Sequence, residues 1–144
     1  MKNLFFIALM PLLHSLNTFE PDDIQGTWLT TGNNSAKVTI YRRDGKYYGK
    51  IAWLKVPTDN GMPKLDKHNP NPIHRKATLV GLTIINGFKW DASDQEWEGG
   101  TIYDPASGNS YSGNMQLQDI NTLKVRGYIG ISLIGRTEIW SRVP

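Results

Sequence analysis

The sequence predicts an all-β fold: one small antiparallel up-and-down barrel of about eight strands. Three observations carry this. Past residue 25, apolar and polar residues alternate with period two, the signature of half-buried strands. Tight-turn sequences such as Asp44-Gly45 separate the alternating runs. No segment sustains a helical period, and closing a sheet of this size removes its two exposed edges.

The elements follow in chain order. Residues 1–18 read as a secretory leader: Lys2, then an apolar run from Leu4 to Leu13, then small and polar residues. That run is shorter than the ~20 apolar residues a membrane-spanning helix needs. The expected place is therefore outside the cytoplasm, periplasmic or extracellular. Residues 19–144 form the barrel domain. "GTW" (26–28) opens it. "AKVTIY" alternates Ala36, Val38 and Ile40 with Lys37, Thr39 and Tyr41, and Asp44-Gly45 turns it into "KYYGKIAWLKV". A long connection from Pro57 to Ala77 follows, with one helical turn at Pro72 behind Asn71 as cap. "ATLVGLTIING" is the next strand, with Asn86-Gly87 as a tight turn. "WEGGTIYDP", the turn "DPASGN", "SYSGNMQLQ", a polar turn at Asp119–Asn121, "TLKVRGYIG" and "GRTEIWSRV" complete the set.

Composition narrows the function. The chain has no cysteine, which excludes disulfides, cysteine-ligated zinc or iron, and a thiol for lipid attachment. Removing Lys2 with the leader leaves 15 of the 16 basic residues against 13 acidic ones, a charge of +2. No basic stripe exists, so nucleic acid is not an expected partner. A core of about 125 residues must hold the fold alone.

Gly26-x-Trp28 entering the first strand, with an arginine on the last, resembles the lipocalin-like barrels. There the arginine packs over the tryptophan and plugs one end. Arg142 is the first choice for that partner, and Arg136 the second. A wider resemblance runs through "VTIYRRDGKYYGKIAWLK", "DKHNPNPIHR", "LVGLTIINGF", "GGTIYDPASGNSY" and "LKVRGYIGISLIGRTEIWSRV". In that order and spacing the chain resembles the bacterial family called domain of unknown function 2147. The resemblance implies a lipocalin-like β-barrel and bacterial export, and no particular activity. That family usually carries an acid between the two prolines of the long loop; here the position is Asn71.

The candidate site is a ligand site. Small barrels bind at their mouths with few placed polar groups. "DKHNPNPIHR" supplies Asp66, Asn69 and Arg75, with Asp66 expected to pair with Arg75 and pin the loop over one barrel end. "KVRGY" supplies Arg126 and Tyr128, either as a solvated face or as an inward pair for an anionic head group, with Glu138 as competing partner. Trp53 is the aromatic member. Trp28 and Trp140 are expected to fill the barrel, and Trp90, near a turn, to be exposed. No cofactor is expected. Asp66, His68 and His74 are the nearest approach to a metal set, at a spacing that fits no standard motif.

No catalytic set emerges. Ser107, Ser110 and Ser112 lack a nucleophile elbow, and Asp94, Glu96, Glu98 and Asp104 read as a solvated loop rather than a glycosidase pair. The expected function is binding of an apolar or amphipathic small molecule, or of an envelope component, without chemistry. The alternative is a filled barrel that contacts an envelope protein partner. A hydrolase acting through Asp66, His68 and His74 comes last.

Overall fold

A computed structural model describes residues 18–128 and 135–144. The expected leader lies, but for Thr18, outside the described residues, as does the expected continuation of "TLKVRGYIG" through Ile129 and Gly130. No helix among the described residues is long and apolar enough to cross a membrane.

Among the described residues ten strands form in order: β1 Gly26–Leu29, β2 Ala36–Arg43, β3 Lys46–Leu54, β4 Thr58–Asp59, β5 Met62–Pro63, β6 Thr83–Asp91, β7 Glu96–Asp104, β8 Asn109–Asp119, β9 Thr122–Tyr128 and β10 Gly135–Arg142. Eight of them close an antiparallel barrel in the order β1-β10-β9-β8-β7-β6-β3-β2. Strands β4 and β5 form a separate two-stranded sheet inside the long loop. The barrel is thus an up-and-down one, as its short connections require.

Two strands differ from strict alternation. The Asn86-Gly87 pair lies inside β6 and makes no turn. Gly87 has φ +69° and Gly99 in the adjacent β7 has φ +77°. Each supplies the left-handed residue of a bulge, so buried positions step by three: Ile85 to Phe88, and Trp97 to Gly100. The pairing register shifts between Glu98 and Thr101 at the second of these. The chain therefore turns later, at residues 92–95, and Trp90 lands opposite Trp97. Its ring sits 4.5 Å from that of Trp97 and packs on the core, so the expected exposure of Trp90 does not occur.

One barrel end is sealed. A 3₁₀ turn, Pro21–Ile24, crosses it. Trp28 Nε1 donates to the Ile24 carbonyl (2.9 Å), and Trp97 Nε1 to the Pro21 carbonyl (3.1 Å). Arg142 lies over the Trp28 ring at 4.3 Å. Its guanidinium donates to the carbonyls of Ile120, Gln25 and Asp23. Arg142 is thus the plug, and Trp28 fills the barrel beneath it. Gly26 shows why the motif needs its glycine: its φ is +134°, and a Cβ there would sit 2.6 Å from Arg142 Nη1.

Candidate functional site

The opposite end is hollow, and the inner-face residues explain it. Along β8 the inward side chains run Leu117, Met115, Gly113 from floor to mouth; along β9 they run Leu123, Val125, Gly127. Large side chains fill the floor, where Trp28, Tyr47, Phe88 and Trp97 are fully buried. Gly127 leaves room in the upper half, while Ile102 takes the space beside Gly113. The resulting cavity measures about 1330 Å³ with its open mouth included, above the roughly 300–1,000 Å³ usual for small-molecule sites. Its walls are Val38, Ile51, Ile84, Ile102 and Val125.

One strand carries charged side chains down the cavity wall. β10 pairs Arg136 with Gly127, Glu138 with Val125 and Trp140 with Leu123. Since Leu123 and Val125 face inward, Arg136, Glu138 and Trp140 form an inward stripe from mouth to floor, and all three line the cavity. Thr31 Oγ1 donates to Glu138 Oε1 (3.1 Å). Trp140 is 3% exposed, and its indole Nε1 has no hydrogen-bond partner among the described residues. Trp140 was expected to fill the barrel; it is buried but serves as cavity wall.

The long loop and the β7–β8 turn build the mouth, with Lys64, His68 and Tyr103 on the lining. Asp66 lies just behind it, fully buried. Its carboxylate accepts from the Tyr103 hydroxyl (2.6 Å) and from Asn69 Nδ2 (2.8 Å). Desolvation, together with the hydrogen bond to Asp66, raises the Tyr103 pKa to about 12. Arg75 makes no ion pair with Asp66; its Nε donates to the Asn69 carbonyl (2.8 Å). The loop is pinned as expected, but by Tyr103 rather than by Arg75. The capped turn forms as read: Asn71 Oδ1 accepts from the Ile73 amide, and Pro72 starts the turn.

The remaining candidates sit as follows. Tyr128 lines the cavity at its rim. Asn69 lies beneath the loop on Asp66. Trp53 stands on the outer face under Lys37, whose Nζ is 4.9 Å from the ring centre. A register shift between Lys37 and Val38 puts it there, since one extra residue flips every side chain beyond it. Arg126 alternates with the inward Val125, so it faces outward, and its Nη1 donates to Thr137 Oγ1 (2.9 Å) across the β9–β10 pair. Arg75 and Arg126 are absent from the lining. Sequence reasoning missed Arg136, Glu138 and Trp140 as a set, although their period-two spacing on the last strand held the signal.

Asp66, His68 and His74 do not converge. Among the described residues, the only three metal-capable side chains whose donor atoms lie within 4.8 Å of one another are Asp91, Asp94 and Glu98, at the sealed end. Asp91 binds Ser93 and the Asp94 amide. Ser93, then Glu98, hold the Asp91 pKa down to about 2, while Asp91, then Glu96, push that of Glu98 up to about 7. A raised carboxyl pKa adds stability below the ordinary value of 4.5, and this is lost as pH rises through about 7. Glu98→Gln is therefore expected to raise the melting temperature at pH 8 and to leave it nearly unchanged at pH 4. Thermal melts at both values test this, and an equal shift at both would contradict it.

The class these features define is a lipocalin-like barrel: eight antiparallel strands, a Gly-x-Trp entry plugged by an arginine, and one open end. A solved structure described as "Protein HP1028 from the human pathogen Helicobacter pylori belongs to the lipocalin family" shares this fold. It aligns with a TM-score of 0.74 at 21% identity, covering 83% of this chain and 82% of that one. The chain belongs to a family of uncharacterized proteins conserved in bacteria, domain of unknown function 2147, whose model matches residues 26–142. No curated protein matches the sequence.

Proposed function

We propose that this protein binds an apolar or amphipathic small molecule in the open half of its barrel, without chemistry on it, and that it does so outside the cytoplasm. The cavity carries the reading: an apolar chamber with a few polar groups on β10 and at the mouth is how protein sites hold small molecules. The leader-like run from Leu4 to Leu13 supports the location. The filled-barrel alternative finds its filling only in the sealed half.

Gly127 offers a clean test. A Cβ there would meet nothing closer than 3.7 Å, so a side chain can enter the cavity without moving the backbone. N-phenyl-1-naphthylamine, a neutral fluorescent probe of apolar cavities, is expected to brighten with the wild-type protein. Gly127→Phe is expected to abolish the signal while the melting temperature holds. Equal brightening by both proteins would place the probe elsewhere and remove the cavity from the account.

A further inference from the structure

The unpartnered indole of Trp140 says what kind of molecule the cavity is shaped for. A buried N–H without an acceptor is costly, and native structures hold few of them. The other two buried tryptophan N–H groups of known partner, Trp28 and Trp97, each find a backbone carbonyl at the sealed end. Trp140 stands on the cavity wall, 3% exposed, with its donor unused among the described residues. The nitrogen itself is fully buried, so an acceptor arriving from the cavity meets that need after a small turn of the ring.

The neighbour on the same face narrows the acceptor. Glu138 stands two residues toward the mouth, about 7 Å along the strand, and it too lines the cavity. An anion lowered to Trp140 would be desolvated close to a carboxylate, which like-charge repulsion opposes. A neutral oxygen carries no such penalty. Above Glu138, Arg136 sits at the mouth opposite Gly127, whose missing side chain leaves room beside it.

Resting on the binding reading above, we infer that the natural ligand is an apolar molecule bearing a neutral carbonyl oxygen (a ketone, ester or amide) that enters carbonyl-first and accepts a hydrogen bond from Trp140 Nε1. Its hydrocarbon body lies against Val38, Ile51, Ile84 and Ile102. The stripe on β10 therefore sets specificity at depth: the indole selects the acceptor and Glu138 keeps anions from its level, while Arg136 stands nearer the mouth.

The test compares three probes of one length, 2-decanone, 1-decene and decanoate, on the full chain and on Trp140→Phe. 2-Decanone is expected to bind the wild-type protein roughly tenfold tighter than 1-decene, the worth of one buried hydrogen bond. Trp140→Phe is expected to erase that preference and leave 1-decene binding unchanged. A second readout needs no variant affinity: in a ¹⁵N–¹H correlation spectrum of the wild-type protein, 2-decanone should shift the Trp140 indole signal downfield, while 1-decene and decanoate should not. Equal binding of ketone and alkene, or an unmoved indole signal on ketone binding, overturns the inference while the binding reading stands. A decanoate that shifts the indole as far as the ketone overturns its neutral-acceptor part. If no probe binds, the binding reading falls and the inference falls with it.

Discussion

Arg142→Ala is expected to destabilise the barrel by about 3–5 kcal/mol, the largest loss of any single surface-end substitution. The guanidinium donates to three backbone carbonyls from two separate segments: Ile120 in the β8–β9 turn, and Gln25 and Asp23 beside β1. It also covers Trp28. Burial lowers its pKa from the ordinary arginine value, against the opposing pull of Asp23. Alanine removes every one of these bonds at the seam where β1 and β10 close the barrel through only two paired positions, Trp28 with Arg142 and Leu29 with Ser141. Against a total stability of about 5–15 kcal/mol, the melting temperature should fall by roughly 10–20 °C. Arg142→Lys should recover little, because one ammonium cannot span three carbonyls as a planar fork does. A lysine variant as stable as the wild type would show that charge alone holds the seam.

Asp66→Ala is expected to cost about 2–4 kcal/mol and to free the long loop. The carboxylate is fully buried and is the acceptor for Tyr103 on β7 and for Asn69 within the loop. Its backbone is also committed: the Asp66 amide donates to the Ala77 carbonyl (2.8 Å), and its carbonyl accepts from the Asn69 amide (3.1 Å). Alanine leaves the Tyr103 hydroxyl and the Asn69 amide without their acceptor. Limited proteolysis should then cut between Pro57 and Ala77 before the barrel unfolds. Tyr103→Phe removes one of the two bonds and should cost about half as much. Cleavage in the loop at the wild-type rate in Asp66→Ala would mean the loop is held by its backbone alone.

The strands and the plug were legible in the sequence because both rest on local signals. Period two marks a strand wherever one face is buried, and Gly26-x-Trp28 with Arg142 lie at the two ends of one chemical motif. The cavity was not legible. It depends on which side chains stand level with Gly127 on the neighbouring strands, a register that no single strand states. Trp53 shows the same limit: it shares the parity of inward Ile51, and a bulge beside Lys37 moves it to the outer face. Asp66 was legible as a loop pin, yet its partner Tyr103 lies 37 residues away on another strand, beyond the reach of loop-local pairing. Arg75 offered a cation within the same loop, but it turns to the Asn69 carbonyl.

Native mass spectrometry of the full chain, purified from bacteria without denaturant and incubated with a total bacterial lipid extract, tests the central claim most directly. The account predicts a discrete additional mass on the wild-type protein, lost on denaturation and absent from Gly127→Phe. A bare wild-type mass after that incubation, or the same added mass on Gly127→Phe, would contradict it.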